Sequence, residues 1–297
     1  PTDRYILDGI AKQFGLKLVL IENEDSGVAK HERITTQVLA PYLNDDVALV
    51  TLQVIQYRSG ARTDIKSITD QVRAVGGLVV WDASHAVGAI ELNLDANGVD
   101  LCVGCTYKYG NSGPGSPAWL YVSKKIQKEL QVPIQGWFAQ DAQFEMGPVF
   151  ERAQNIRGFQ IASPSLIGIR CVQTAFSMIK EAGIDAIAQK AAVGTQMMID
   201  LYDAWLAPLG IELNTSRDPK ERGGHISLVH PDAAQICVAL RQISNVIPDY
   251  RTPNSIRLAI SPLPTSYVEV WDGFARMRDL VASGQYKTIK EGGSRVT

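Results

Sequence analysis

Two stretches of the chain hold residue types that could do chemistry on a carbon acid. The apolar run at residues 78–81 ends in Asp82-Ala83-Ser84-His85, and the run at 99–105 ends in Thr106-Tyr107-Lys108-Tyr109. Apolar runs of this length between turn residues read as buried strands of a parallel sheet. In open α/β sheets, ligands sit at the carboxyl ends of the strands. A carboxylate at one strand end and an amine at the next suit pyridoxal 5'-phosphate. The amine forms the Schiff base, and the carboxylate keeps the pyridine nitrogen protonated so that the ring can draw electrons. Burial of Lys108 would lower its pKa, which favours imine formation; a lysine that has left the strand for water is the bland alternative. Asp82 follows four apolar residues and must find a cation or donors, although a helix N-cap is another common use of such an Asp.

The elements that must position these groups follow a strand–helix–strand order. Residues 46–53 read as a buried strand and 64–75 as a helix with Ile65, Ile68 and Val72 facing inward. Short loops between them give the βαβ pattern and a mostly parallel central sheet with helices on both faces. Upstream, 5–14 has helical spacing up to Gly15, 17–21 alternates like a strand, and 34–42 reads as a helix stopped near Pro41. Downstream, 118–122 is a strand, 124–130 a short helix, and 131–160 an irregular functional loop rich in Gly, Pro and Gln. Two long helices follow at 165–182 and 184–207, then strands at 211–214, 225–230 and 254–260 with helices at 232–243 and 267–282. The expected division is a large α/β domain over 1–183 and a connecting helix with a smaller α+β domain over 184–297. The polar tail from Gly284 is expected to fray.

Composition narrows the class. A net charge of −2 gives no sign of a nucleic-acid or membrane partner, and 45% hydrophobic with 20% charged residues is ordinary for a globular protein. No apolar run approaches a membrane span. Cys102, Cys105, Cys171 and Cys237 sit in apolar segments; Cys102 and Cys105 form a C-x-x-C without a second ligand pair, so reduced thiols in a cytoplasmic enzyme are expected and no metal.

The two motifs, DASHAVG at 82–88 and YKYGNSGPG at 107–115, resemble those of the fold-type I, class V aminotransferase-like enzymes, specifically the kynureninase family. That family's segments read D-x-A-H-A-x-G and Y-K-Y-x-N-x-G-x-G. The likeness continues through Gly136-Trp137-Phe138, the GHISL at 224–228 and the NSIRLAISP at 254–262. The resemblance implies pyridoxal phosphate on Lys108, Asp82 at the pyridine nitrogen and His85 beside the ring. It implies that Tyr107 binds the phosphate and donates a proton to the reacting carbonyl, its ionisation eased by the nearby lysine. It further implies Trp137 in the cofactor and substrate pocket, often across a dimer interface, and Arg257 on the substrate α-carboxylate. Packing roles remain the alternatives for His85, Tyr107 and Trp137, and a surface strand arginine for Arg257; Arg251 is a weaker candidate for the carboxylate and reads first as structural.

Two departures from the family pattern matter. The family has a small hydroxyl residue where Gln53 stands, and often Asn or Thr where Ser163 precedes Pro164; both positions touch cofactor or substrate. The opening Pro1-Thr2-Asp3 matches the tail of a family F-P-[ST]-D element, so Asp3 joins the cofactor contacts. A substantial N-terminal portion that cups the phosphate is expected to precede it. The implied activity is hydrolysis of L-kynurenine or 3-hydroxykynurenine to anthranilate or 3-hydroxyanthranilate and L-alanine, by a homodimer with sites at the subunit boundary, in tryptophan catabolism and NAD biosynthesis. The rivals are another class V enzyme, an aminotransferase or cysteine desulfurase, and a non-catalytic homologue that keeps the fold.

Overall fold

The computed structural model describes residues 2–21 and 32–289. Three apolar runs form parallel strands, β1 (Leu49–Gln53), β2 (Leu78–Asp82) and β3 (Leu101–Gly104), and β4 (Trp119–Val122) completes this sheet antiparallel to β3. Register sets Gln53 opposite Asp82 and Asp82 opposite Val103, so the carboxyl ends of the parallel strands finish side by side. This is the mostly parallel α/β sheet expected from the sequence. Helices α1 (Thr2–Phe14) and α2 (Thr36–Leu39) precede it.

Helix α3 (Ile65–Ala74) makes the crossover from β1 to β2. The Asp64 side chain accepts from the Ser67 amide at 3.1 Å, a cap worth about 1 kcal/mol, and Ile65, Ile68 and Val72 are buried as their spacing requires. Trp81 is fully buried on β2, and its indole N–H donates to the Thr69 hydroxyl of α3 at 3.0 Å. That bond satisfies the one polar atom of a large core side chain.

Ser165 caps α4 (Leu166–Ala182), and Gly183 leads into α5 (Ile184–Leu201), which runs on through a π-turn over Tyr202–Leu206 and a 3-10 turn over Ala207–Leu209. A second, antiparallel sheet has the order β5 (Glu212–Leu213), β6 (His225–Val229), β8 (Ser255–Ala259), β7 (Asp249–Arg251). With α5, α6 (Ala233–Ile243) and α7 (Tyr267–Ala282) it encloses a core that includes Ile199, Leu206, Ile226, Leu228, Leu240 and Ile256. Each such side chain contributes about 2 kcal/mol of transfer free energy.

Several sequence expectations are corrected. Residues 17–21 form no strand, because alternation yields a strand only where a neighbour completes the ladder, and none does so among the described residues. The helix expected at 34–42 divides into α2 and a 3-10 turn over Ala40–Tyr42, where Pro41 supplies no N–H. Residues 124–130 are turns, not a helix: Ile126 donates to Ser123 O and Glu129 to Ile126 O, and so short a segment nucleates poorly. β7 was not anticipated, having only three residues and no alternation to mark it. The chain beyond Gly284 does not fray at once, since Gln285–Thr288 is a 3-10 turn in which the buried Tyr286 donates to Asp232 at 3.1 Å. The rest of that tail, 290–297, lies outside the described residues.

Candidate active site

The site begins where β2 and β3 end. The Asp82 carbonyl accepts from the Val54 amide at 2.9 Å, and the Ala83 amide donates to Val103 O at 2.8 Å, which carries the ladder past the last strand residue. Asp82 Oδ1 accepts from the Ser84 amide at 2.8 Å. This is an Asx-turn, so the helix N-cap alternative is not realised. Ser84 then joins the two motifs: its hydroxyl accepts from the Cys105 amide at 3.2 Å, and Cys105 Sγ lies 3.6 Å from Ser84 O.

Glycine is required where these turns meet. Gly88 has φ +79°, and a Cβ there would stand 2.3 Å from the Tyr109 carbonyl oxygen. At Gly110 a Cβ would stand 2.4 Å from Thr106 O. The spacing D-x-x-x-x-x-G and the glycine after Y-K-Y are thus packing conditions that bring the Lys108 turn against the Asp82 turn.

Lys108 is half-buried and makes no ion pair among the described residues; its Nζ lies 5.6 Å from the Tyr107 ring centroid. Burial lowers its pKa, as expected; Cys105 and Asp82 oppose the shift, and Arg257 and Arg251 reinforce it. Tyr107 behaves otherwise than expected. Burial and the Cys105 side chain raise its phenol pKa, so the group is held protonated instead of eased towards ionisation. It keeps a proton to give, as a weaker acid than expected.

His85 is buried and held neutral, first by desolvation and then by His225, Lys108 and Arg257. Its Nε2 lies 3.3 Å from Arg257 Nη1. A guanidinium only donates, so His85 accepts at Nε2 and carries its proton on Nδ1. His225, at the start of β6, is pushed down to about 3 by burial, with Arg257 next in effect. Its Nδ1 lies 3.4 Å from the Tyr109 hydroxyl, its Nε2 is buried without a partner among the described residues, and the two imidazole centroids are 5.7 Å apart. Burial also raises the pKa of Tyr109.

Arg257 reaches this cluster from β8. Its Nη1 donates to Tyr57 O at 2.6 Å as well as to His85, and its Nη2 is bonded to Asp249, whose same oxygen accepts from Arg251 at 2.7 Å. Burial lowers the Arg257 pKa, and Asp249 opposes that shift. Gln53 Nε2 lies 3.5 Å from Asp3 Oδ2, which draws the start of α1 to the end of β1. The structure therefore gathers Lys108, Tyr107, Asp82, His85 and Arg257 in one neighbourhood and pairs Asp3 with Gln53.

Trp137 and Ser163 stand apart. Trp137 is about half exposed, donates from its indole to Gln143 O at 2.9 Å and meets Phe138 and Phe144 edge-on. Ser163 is exposed just ahead of α4. Neither makes a hydrogen bond with Lys108, Asp82 or Arg257 among the described residues. Sequence reasoning missed Ser84, Tyr109 and Asp249, and ranked Arg251 as the weaker candidate, more structural than functional. An apolar segment does not ensure a buried thiol: Cys171 is exposed on α4. Cys102 and Cys237 are buried, each thiol pushed up to about 12 by desolvation.

Comparison with known proteins agrees with this geometry. Residues 187–277 match the family model for the kynureninase C-terminal domain. Over 293 residues the chain is 36% identical to the kynureninase of Geobacillus thermodenitrificans, covering 97% of this chain and 67% of that protein. The chain belongs to the kynureninase family. A kynureninase of Burkholderia pseudomallei is 33% identical over 283 residues, covering 95% of this chain and 65% of that protein. The chain thus spans about two thirds of the length of the curated relatives it matches. An apo cysteine desulfurase from Thermococcus onnurineus has a TM-score of 0.76 at 19% identity, covering 95% of this chain and 70% of that one. A C-DES mutant with glycine covalently linked to its PLP cofactor has a TM-score of 0.78 at 16% identity, covering 94% and 72%. These structural likenesses show the fold, that of fold-type I PLP-dependent enzymes. The span matched by the kynureninase domain model holds the strands that carry His225, Asp249, Arg251 and Arg257.

Proposed function

We propose that the protein uses pyridoxal 5'-phosphate to hydrolyse L-kynurenine, or its 3-hydroxy form, to anthranilate or 3-hydroxyanthranilate and L-alanine. The observation that carries this reading is that Lys108 and Asp82 stand on turns held together at the ends of β3 and β2, Ser84 O lying 3.6 Å from Cys105 Sγ and a Cβ at Gly88 meeting Tyr109 O. A half-buried amine of lowered pKa, without an ion pair among the described residues, stands within the electrostatic reach of a strand-end carboxylate whose Oδ1 alone accepts from the protein. That donor set fits the cofactor: Lys108 would hold its aldehyde carbon and Asp82 its ring nitrogen, with His85 beside the ring. Bound there, the ring supplies the electron sink that a carbon acid needs.

The chain's own residues do the rest. Arg257 binds the substrate carboxylate and so orients the Cα–H bond. Lys108, neutral at lower pH than a solvated lysine, takes the proton from Cα. Tyr107, whose phenol stays protonated, gives a proton at the substrate carbonyl as water adds and the Cβ–Cγ bond breaks. Positioned acids and bases of this kind contribute on the order of 10²–10⁴-fold each. Gln53, in place of a smaller hydroxyl residue, faces the phosphate side, and Asp3 joins the cofactor contacts by orienting the Gln53 amide.

Two copies of the chain complete the site in this reading. Trp137, Phe144, Leu166 and Ile167 are exposed on one stretch of chain, which supports a homodimer in which Trp137 and Ser163 serve the neighbouring copy's cofactor and substrate. Two separate cores support a division into a cofactor domain over 1–183 and a connecting helix with a smaller C-terminal domain over 184–297. Among the described residues no helix is long and apolar enough to cross a membrane; we place the enzyme in the cytoplasm, in tryptophan catabolism and NAD biosynthesis. A desulfurase would need a free thiol at the cofactor, and Cys105 Sγ is turned to Ser84 O, which favours hydrolysis.

The test is to incubate the full-length protein with pyridoxal phosphate and L-kynurenine and follow anthranilate fluorescence. Anthranilate and alanine should appear in equal amounts, and Lys108→Ala should abolish both. Absence of anthranilate, or equal rates for the parent and the Lys108→Ala variant, would overturn the assignment.

A further inference from the structure

We propose that Asp249 is a positioning residue that fixes the guanidinium plane of Arg257 for a single substrate carboxylate; this rests on the reading of Arg257 given above. Arg257 is held by three acceptors from three parts of the chain. Its Nη1 donates to Tyr57 O at 2.6 Å, beyond β1, and to His85 Nε2 at 3.3 Å, beyond β2, while its Nη2 is bonded to Asp249 Oδ2 on β7. Both Nη1 hydrogens and one Nη2 hydrogen are thereby committed. The Nε–H and the second Nη2–H have no partner among the described residues, and they are the donors left for a carboxylate. Two-point recognition by a guanidinium needs its plane held, since the paired N–H bonds must meet two oxygens together.

Charge leads to the same conclusion. Asp249 Oδ2 accepts from Arg251 Nη2 at 2.7 Å as well as from Arg257, so two guanidinium groups share one carboxylate oxygen. The Arg257 side chain is only 12% exposed and Asp249 26%. His85 and His225, which face the same group, are held neutral by burial. The cluster keeps one positive charge in a half-buried place, where an unmatched charge is costly. One substrate carboxylate neutralises it. An amine or amide of the same shape does not, and with Lys108 taken up by the cofactor a second carboxylate finds no free cation there among the described residues. Asp249 thus sets both the orientation of the clamp and the charge it accepts.

The experiment uses the full-length protein with pyridoxal phosphate and measures, by calorimetry, binding of L-alanine and of L-alaninamide alongside kcat and KM for L-kynurenine. The parent should bind the acid at least about tenfold more tightly than the amide, as a charge-assisted pair of hydrogen bonds allows. Asp249→Asn leaves a second positive charge that alone would favour the acid, yet with the guanidinium plane no longer held it should bring the two ligands within about threefold and raise KM about 10- to 100-fold with a much smaller change in kcat, since uniform binding is what is lost. Asp249→Glu should restore part of the acid preference. An Asp249→Asn variant with native circular dichroism that keeps the parent's acid preference, or weakens both ligands alike, overturns the proposal. If the Asn variant does not fold, Asp249→Glu decides: an undiminished acid preference overturns the proposal and a partial one supports it. A parent that prefers the acid but makes no anthranilate would sink the reaction assignment and leave Asp249 to be judged on the two ligands.

Discussion

The Tyr109 hydroxyl lies 3.4 Å from His225 Nδ1, joining the turn that presents Lys108 to the first residue of β6. Both side chains are buried, so beside the Arg257 guanidinium the two sheets also meet at the candidate site through neutral polar groups. That neutrality has a measurable consequence.

Stability should fall as pH drops below about 6.5, the ordinary value for His. The unfolded chain takes up a proton at His225 there, while the folded protein does not until about 3. The unfolded state therefore binds more protons across this window, and stability is present above pH 6.5 and lost below it, by about 1 kcal/mol per pH unit for such a group. His85, also depressed by burial, acts with the same sign. Urea melts at pH 7, 6 and 5 will show this slope, and His225→Leu should flatten it even if the variant is weaker at pH 7. An unchanged slope in that variant would assign the effect elsewhere.

Lys108 should be the lysine trapped by borohydride reduction of the cofactor-loaded protein. Its lowered pKa leaves more free amine at neutral pH than the exposed lysines have. Peptide mass spectrometry will find the reduced adduct on the peptide containing Tyr107-Lys108-Tyr109, and Lys108→Arg should lose it while keeping the charge. Adducts spread over surface lysines would count against the assignment.

Gly88→Ala should cost about 3 kcal/mol, since it combines a positive φ with a Cβ set 2.3 Å from the Tyr109 carbonyl oxygen. The backbone has to move, and the Lys108 turn moves with it, so cofactor affinity should drop as well. Chemical denaturation and a cofactor titration check the two effects together; a loss of stability without a loss of affinity would mean that the turns are less tightly coupled than their contact indicates.

Trp81→Phe should destabilise by about 2 kcal/mol, because it shrinks a fully buried side chain and strips the Thr69 hydroxyl of its donor 3.0 Å away. Thr69→Val in the same background should then cost little, as the hydroxyl no longer has that partner. A double-mutant cycle measures this coupling directly.

Much of this was legible in the sequence for physical reasons. Asp82 and Lys108 announced themselves by ending apolar runs, and Ile65, Ile68 and Val72 by helical spacing, both of which are local signals. Arg257 was visible as a cation on an alternating strand. What stayed hidden depends on distant pairing. Tyr109 and His225 are 116 positions apart, and Asp249 shows its purpose only once β7 pairs with β8 and sets it opposite Arg257. Residues 17–21 misled for the converse reason, since the alternating pattern is present and the ladder is not.

Strand β6 has no wet side, because all five of its residues are buried. Ile226 and Leu228 belong to the C-terminal core, while Thr215 ties the strand outward by accepting from the Ser227 amide at 2.8 Å and donating to Ser59 O at 2.7 Å. A segment clasped from both directions is among the last to exchange its amide protons. The slowest-exchanging part of the second sheet therefore starts at an imidazole of the candidate pocket, and any yielding that admits a substrate belongs to the rim, not to that seam.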